Sequence, residues 1–422
     1  MAERDLDVVV LGATGVTGRQ VARYLAERAQ GGGLRWAPAA RDTAKLERVL
    51  DELGVRAPEL IAADVGDPAT LATMASRTRV VLDLVGPYTR FGRPVVEACL
   101  AAGTHYVDLT GELPFVREMI DAFHEQAVAR GVKIVQVCGF EALPADLLVA
   151  LAVERARELF DEGLAEVDLQ VSMTAPPGMP RATDMVSGGT FQSLAEVAAA
   201  KDSALITDPA MLIADAELAE RVRRISPIGL SPRRGEHGAV IAPMAPAAFI
   251  NPAVIHRSAA LIAAAEGRAQ EPFRYREGIT LAGGALTQPA RWALAGTMSG
   301  TQVVIGALAH ARPALRTRVA GLLGRFGPAS GFGPSGERME HWRWSVSVLA
   351  RTHAGRQVRA HLDADGHPGY LATARLLGEA GILLAQDDAT PARGGCLTPA
   401  GALGTSCVAS FEHARLRFSL DT

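Results

Sequence analysis

Cysteine, lysine and net charge are all scarce in this sequence of 422 residues. Its four cysteines lie far apart, without a CxxC pair or a neighbouring histidine cluster, so their spacing excludes the common zinc sites and a disulfide framework. The formal net charge of −3 gives no polyelectrolyte character that would favour DNA or RNA. No secretory n-region or h-region precedes the first apolar run. The sequence therefore predicts no metal site, no nucleic-acid partner and a reducing, cytoplasmic location.

Several catalytic signatures are absent as well. None of the five tyrosines has a lysine four residues later, which excludes the Tyr-x-x-x-Lys pair of many short-chain reductases. Zinc-peptidase, serine-hydrolase and P-loop motifs are also missing from the sequence. What is present is an ordinary globular composition, 48% hydrophobic and 21% charged, in a chain long enough for two domains of about 100–200 residues each.

The first motif is a glycine-rich turn between a strand and a helix. Val8–Leu11 is an apolar run typical of a buried parallel strand, and Arg19–Ala29 has helical apolar spacing. In the turn between them, Gly12 allows the tight bend, Gly15 lets backbone approach a pyrophosphate, and Gly18 lets the helix pack closely on the strand. The turn predicts dinucleotide binding, although a glycine turn without a ligand has the same pattern. The predicted cofactor-binding residues here are Gly12, Ala13, Thr14, Gly15, Val16, Thr17 and Gly18.

The end of the second predicted strand indicates which dinucleotide is bound. Arg41 can bind a ribose 2′-phosphate, and Lys45 adds positive charge one turn later. Asp42 could instead be the acidic residue of an NAD site, but it also stands where the next helix needs an N-cap. We therefore expect NADP(H) rather than NAD.

Further strand-like runs alternate with helical segments as far as residue 137, which predicts an α/β domain with a doubly wound parallel Rossmann sheet over 1–150. Ligands of such sheets bind beyond the carboxyl ends of the strands. This rule places Asp64 and Val65 near the adenine, and Gly86, Pro87 and Tyr88 near the nicotinamide.

The rest of the chain has a different pattern. Glu166–Met173 and the alternating residues around Trp344 and Val358 predict strands, so 151–370 is expected to be an α+β substrate or partner domain. Ser187–Thr190 precedes a helical run and reads equally well as an anion-binding helix start or as an ordinary cap. A helical segment, 371–422, is expected to pack back on the first domain.

Several motifs resemble a known family. They are GATGVTG, ARDTAKL, VGPYTRFGRPVVEACLAAGTHYVDLTGE, CGFEALPADL, SGGTFQSL, GFGPSGERM, HPGYLATARLL and GGCLTPAGALG. Together they resemble the saccharopine dehydrogenase-like NADP-binding family, and most closely the trans-acting enoyl reductases of actinobacteria. Ala40 and Glu141–Ala142 depart from the family's usual Gly and Asp-Ser. The resemblance implies an NADP-dependent oxidoreductase that reduces the C=C bond of an acyl or polyketide thioester, carried on an acyl carrier domain or on CoA.

Two other functions stay open from the residues themselves: a saccharopine-type reductase or dehydrogenase acting on a C–N substrate, and a non-catalytic NADP-binding protein on a lipid surface. Enoyl reduction needs hydride at Cβ, a proton at Cα and a donor to the thioester oxygen. Tyr88 and Tyr106 are candidate donors by strand-end position, and Glu112 or Asp108 could orient them. Core packing and turn capping explain the same residues without catalysis.

One segment has an unusual charge pattern. Gly278–Gly336 contains no Asp or Glu but five arginines, and it includes the uncharged apolar stretch Trp292–Ala309. Such a surface could dock an anionic and apolar partner, such as an acyl carrier domain, a CoA ester or a lipid headgroup. A solvated arginine-rich face is the alternative. The arginines are Arg291, Arg312, Arg316, Arg318 and Arg325.

Overall fold

In a computed structural model of the chain, which describes residues 4–177, 196–244, 246–282, 287–326, 337–386 and 388–421, two seven-stranded sheets dominate the architecture. One sheet is parallel throughout and the other is mixed. This arrangement confirms the predicted fold class, a Rossmann sheet followed by an α+β region. The Ser187–Thr190 motif lies outside the described residues.

The parallel sheet has the strand order expected of a dinucleotide-binding fold. Its order is β13-β6-β5-β4-β1-β2-β3. Strands β2 and β3 therefore lie on one side of β1 and strands β4 to β6 on the other, which makes the edge between β1 and β4 the usual ligand-binding position. The strands are β1 (Leu6–Leu11), β2 (Trp36–Ala40), β3 (Ile61–Ala62), β4 (Thr78–Asp83), β5 (His105–Asp108), β6 (Lys133–Val135) and β13 (Gly395–Leu397). Central residues of β1 and β4 are wholly buried, because helices cover both faces of the sheet.

Local signals fix the ends of the covering helices. Asp42 caps its helix by accepting a hydrogen bond from the Lys45 N–H at 2.9 Å, as the sequence predicts. Gly103 and Gly131 end two others in the left-handed conformation. The helices of this half are α1 (Val16–Ala29), α2 (Thr43–Glu52), α3 (Pro68–Arg77), α4 (Tyr88–Ala102), α5 (Leu113–Arg130) and α6 (Leu143–Phe160).

The mixed sheet has the order β14-β12-β11-β7-β10-β9-β8, and the predicted hairpin, β11 and β12, lies between β14 and the central strand β7. Trp344 pairs with Ala364 and Val348 with Ala360, so alternate apolar side chains share the face that covers α6. The strands are β7 (Leu164–Thr174), β8 (Arg233–Arg234), β9 (Val240–Ala242), β10 (Arg274–Leu281), β11 (Arg343–Thr352), β12 (Gln357–Asp365) and β14 (Leu416–Asp421).

The C-terminal segment belongs to both sheets and is not only helical. Its strand β13 pairs with β6 in the parallel sheet, whereas its last strand, β14, pairs with β12 in the mixed sheet. The predicted boundary at residue 150 falls inside α6, because α6 supplies core residues beneath the mixed sheet. The remaining helices are α7 (Ala216–Ile225), α8 (Ala247–Ala265), α9 (Gln288–Ala309), α10 (Pro313–Phe326), α11 (Thr373–Leu384) and α12 (Pro399–Leu403).

Two of these helices are long and apolar enough to cross a membrane by length and composition. Most of α8 is buried inside the fold, where it packs against α6 and α12. In contrast, most of α9 lies on the surface. The two uncharged stretches of the sequence therefore have different environments.

Candidate functional site

The glycine turn has the shape that the sequence predicts. Gly12 adopts a positive φ of +86°, and a Cβ on Gly18 would overlap the Gly12 carbonyl oxygen, so both positions require glycine. A Cβ on Gly15 would meet only that same oxygen, at 3.3 Å, and Gly15 is exposed at the N-cap of α1. Gly15 therefore leaves open space at the helix N-terminus, where N–H groups and the helix dipole favour an anion.

The predicted 2′-phosphate residues lie beyond the end of β2. Arg41 and Lys45 are both exposed, and neither side chain has a hydrogen bond or ion pair to the described residues. Asp42 is engaged as the cap of α2 through its Oδ1. The Asp42 carboxylate, which an NAD site would need for the ribose, therefore caps a helix instead. The side chains of Arg41 and Lys45 are accessible to a phosphate.

The loops after β1 and β4 lie against each other. A Cβ on Gly12 would approach Val85 Cγ2 to 2.9 Å, and Gly86 is exposed beside them. At the far edge, Asp64 Oδ1 accepts a hydrogen bond from Gly66 N–H at 2.9 Å, which shapes the turn after β3. Val65 is half-buried next to it, and Pro87 is buried. The predicted binding residues thus all follow carboxyl ends of strands in the same sheet.

Beneath these loops lies a buried acidic cluster. The Tyr106 hydroxyl lies 3.2 Å from Asp83 Oδ2 and 3.0 Å from Asp108 Oδ2, and all three residues are fully buried. Asp83 also accepts a hydrogen bond from Val85 N–H, and Asp108 accepts hydrogen bonds from Thr110 N–H and Val137 N–H. Burial, with the neighbouring Asp108 charge as a smaller cause, raises the pKa of Asp83 to about 8. Burial raises the pKa of Asp108 as well. The cluster holds the loops after β4, β5 and β6 in place.

Three residues that the sequence predicts to be catalytic lie buried inside the fold. The Tyr88 hydroxyl is buried and donates to the Asp83 carbonyl oxygen at 3.0 Å, and burial raises the pKa of Tyr88 well above its usual value. Tyr106 is buried in the acidic cluster, and burial raises its pKa in the same way. Glu112 is also buried, and it accepts hydrogen bonds from the Tyr88 and Thr89 N–H groups at the start of α4. Because all three are enclosed, their placement argues for loop support and against proton transfer to a substrate.

Asp83→Asn is expected to change how stability depends on pH. The folded protein keeps the Asp83 proton up to about pH 8, whereas a carboxyl in the unfolded chain loses it near pH 4, so the unfolding free energy falls as pH rises between these values. One such carboxyl changes the unfolding free energy by at most about 1.4 kcal/mol per pH unit. Denaturant titrations between pH 6.5 and 8 should show a flatter slope for the variant than for the wild type. The exposed Asp51→Asn serves as the control, and identical slopes in all three proteins would contradict this role of Asp83.

The second half of the chain reaches the glycine turn through a segment that the sequence analysis did not assign to the site. Val16, inside the turn, packs against a cluster of Met339, Tyr370 and Leu371. His367 lies between Trp342 and Tyr370, with ring centroids 4.8 and 5.1 Å away. The HPGYLATARLL motif signalled this segment, but its contact with a turn some 350 residues earlier depends on tertiary packing.

A second contact between the halves lies after β6. The ring of Phe140 packs edge-on against Trp344 with centroids 4.8 Å apart, and the Phe140 N–H donates to Thr373 Oγ1 at 3.1 Å. Glu141 follows, half-buried, with its carboxyl next to Gly139, and burial raises the pKa of this carboxyl. Among the described residues, no group of three or more His, Cys, Asp or Glu could hold a metal ion.

Comparisons with known proteins decide the family. A model of the saccharopine dehydrogenase NADP-binding domain matches residues 8–135, the segment that carries the glycine turn and the acidic cluster. A trans-acting enoyl reductase of Mycobacterium tuberculosis is 35% identical over 98% of this chain and 97% of its own length. One from Mycobacterium ulcerans is 36% identical over 97% and 96% of the two chains. This chain belongs to the trans-acting enoyl reductase family.

A solved structure of another enzyme resembles the fold of this chain. Saccharopine dehydrogenase from Saccharomyces cerevisiae superposes with a TM-score of 0.52, covering 99% of this chain and all of the yeast chain, at 13% sequence identity. At that identity the likeness concerns the fold alone. This chain and the yeast saccharopine dehydrogenase thus share an overall fold.

Proposed function

We propose that the chain uses NADPH to reduce the carbon–carbon double bond of an acyl thioester. The observation that carries the proposal is its family membership over nearly the full length, together with a glycine turn that leaves room for a pyrophosphate. In this reaction the enoyl thioester, NADPH and one proton become the saturated thioester and NADP⁺. Hydride is added at Cβ and the proton at Cα.

The residues of this chain fit the dinucleotide. The open space above Gly15 suits a pyrophosphate at the N-terminus of α1, and Arg41 and Lys45 offer positive charge to a 2′-phosphate. Gly86 and the loop after β5 offer backbone at the nicotinamide end. When bound, NADPH supplies the hydride. The contacts of Val16 with the Tyr370 cluster and of Phe140 with Trp344 bring the second half of the chain against the loops of the parallel sheet, where it would exclude water from bound reactants.

We infer that Glu141 supplies the proton. It follows β6, with its carboxyl next to Gly139, on the sheet edge where substrates of such folds bind. A carboxyl whose pKa is raised by burial keeps its proton closer to neutral pH and can deliver it in the transition state. The proposal adds a residue that the sequence prediction, with Tyr88 and Tyr106 as candidate donors, did not name.

The thioester is proposed to arrive on an acyl carrier domain or on CoA, in the cytoplasm. The four cysteines are all buried and free, which suits a reducing compartment. The test of the reaction is NADPH oxidation with a crotonyl thioester, compared with oxidation in the presence of an amino acid and a keto acid that can form an imine. NADPH oxidation with the thioester, but not with the imine-forming pair, supports the proposal. Turnover with the imine-forming pair alone would indicate a saccharopine-type enzyme, and turnover with neither would favour a non-catalytic protein.

Arg41→Ala is expected to weaken NADPH binding by about 1.5–3 kcal/mol, which is roughly 10- to 100-fold, because a charged hydrogen bond to the 2′-phosphate is lost. NADH has no 2′-phosphate, so its affinity should hardly change. Fluorescence titration measures both dissociation constants. Arg48→Ala is the matched control, since Arg48 is an exposed arginine on α2, the helix that follows Arg41, about two turns further along the chain. Equal losses of NADPH and NADH affinity would contradict the assignment of Arg41.

A further inference from the structure

The surface of α9 and α10 exposes an unusual amount of apolar side chain. Within the described residues, ten large hydrophobic side chains are exposed, and five of them lie on these two helices. The five are Leu294 (41% exposed), Val303 (54%), Val304 (67%), Leu315 (51%) and Leu322 (56%). We call this surface the α9–α10 face. Large apolar side chains exposed in such number on two consecutive helices are typical of an interaction surface.

Beyond Arg291, in its first turn, α9 carries no charge. From Trp292 to Ala309 the helix contains no Asp, Glu, Lys or Arg, and its exposed positions are Ala, Leu, Gly, Thr and Val. At about 1.5 Å per residue, the 22 residues of α9 extend for about 33 Å along the surface. A charged partner would therefore find no opposite charge over most of this length.

The opposite side of α9 is tied to the fold by polar contacts. Gln302 Nε2 donates to the Pro243 carbonyl oxygen at 2.8 Å, and Ser203 Oγ donates to the Ala309 carbonyl oxygen at 2.8 Å. Ala295 and Gly306 are buried on the same side. These contacts hold the helix along the surface of the protein, so its apolar side can lie in the plane of an interface without crossing a membrane.

Positive charge stands at the end of this apolar surface. Arg312 and Arg318 are exposed on the turn into α10 and on its first turns, and among the described residues no carboxylate pairs with either. Arg316 differs from the sequence prediction. It is buried and donates to the Ala200 carbonyl oxygen and to Ser203 Oγ, so it belongs to the fold and not to a docking surface.

We propose that the α9–α10 face binds the surface of an anionic lipid bilayer. An interfacial helix buries its apolar side at the boundary of the acyl chains, while basic residues contact anionic headgroups. The exposed apolar side chains of α9 and the exposed Arg312 and Arg318 would supply these two kinds of contact. An acyl carrier domain is a poorer fit, since its acidic surface would meet an uncharged helix over most of the face. A second copy is also a poorer fit, because a twofold contact would bring unpaired arginines together. The proposal is independent of the reaction assigned above.

Vesicle co-sedimentation of the full-length protein tests the proposal. The wild type should bind vesicles of phosphatidylglycerol and phosphatidylcholine at least tenfold more tightly than vesicles of phosphatidylcholine alone, and added salt should weaken the binding. The double variant Val303→Glu/Val304→Glu should lose binding to both vesicles. Arg312→Glu/Arg318→Glu should lose the preference for the anionic lipid. Val128→Glu is the matched control, since Val128 is an exposed valine (48%) on α5, and it should bind as the wild type does.

Circular dichroism and NADPH titration of each variant serve as the check that it is folded. The proposal would be overturned if the wild type bound neither kind of vesicle. It would also be overturned if all the variants bound vesicles as the wild type does. A dimer that Val303→Glu/Val304→Glu converts to monomer would assign the face to a second copy instead. If Arg312→Glu/Arg318→Glu raises only the KM for a carrier-bound acyl thioester, the face serves a carrier domain and the lipid proposal is wrong.

Discussion

Gly15→Val should abolish NADPH binding while leaving the protein folded. Gly15 stands at the N-cap of α1 with open space above it, and a Cβ there would meet only the Gly12 carbonyl oxygen, at 3.3 Å. The branched side chain of valine fills that space and keeps the pyrophosphate from the N–H groups of the helix. Losing two charge-assisted hydrogen bonds of about 1.5–3 kcal/mol each weakens binding by roughly 100-fold or more. Isothermal titration of NADPH measures the loss.

Two further glycine variants separate cofactor binding from folding. Gly229→Val is the matched control, because Gly229 is exposed and nothing lies within 4 Å of its added Cβ, so binding and stability should both persist. Gly18→Ala should instead lower stability, since its Cβ overlaps the Gly12 carbonyl oxygen. A Gly15→Val protein that binds NADPH normally would show that this turn does not hold the pyrophosphate.

Glu141→Gln should lower kcat for an enoyl thioester by about 10²–10⁴-fold, the usual contribution of a general acid. Glutamine keeps the size and hydrogen bonding of the side chain but cannot give up a proton. The NADPH dissociation constant should stay within about twofold of the wild-type value, because Glu141 lies after β6 and the glycine turn follows β1.

The pH profile distinguishes a proton donor from a residue that only shapes the loop. In the wild type, kcat should fall as pH rises through the raised pKa of this carboxyl, because the proton needed for Cα is lost. This fall of kcat at alkaline pH, the alkaline limb of the profile, should be missing in Glu141→Gln and should return in Glu141→Asp. A lowered kcat in Glu141→Gln with the alkaline limb unchanged would indicate a structural role.

The cofactor half of the fold could be predicted because its signals are local. Apolar runs, the glycine turn and the cap residue Asp42 each specify their own segment, and the structure confirms them. The parallel order of the strands then follows from the handedness of their connections. The hairpin of β11 and β12 was predictable for the same reason, since period-2 alternation is read directly from the sequence.

What could not be predicted depends on contacts between distant segments. Tyr88 and Tyr106 follow the sheet edge in sequence, but only the fold shows that the acidic residues beneath the loops enclose their hydroxyls. Arg316 and Arg318 lie in the same acid-free stretch of the sequence and look alike there. Arg316 is nevertheless buried, because it donates hydrogen bonds to residues 200 and 203 of a distant segment. The C-terminal strands join two different sheets, which no local pattern indicates.

Transfer of deuterium from NADPH labelled at the transferable C4 position is the most direct measurement of the proposed reaction. With a crotonyl thioester, the account predicts a butyryl thioester that carries one deuterium at Cβ and a solvent-derived hydrogen at Cα, detected by mass spectrometry and NMR. In the Gly15→Val protein no labelled product should form. Deuterium on a carbon attached to nitrogen in an amino acid product, or NADPH that is never oxidised by any thioester, would contradict the account.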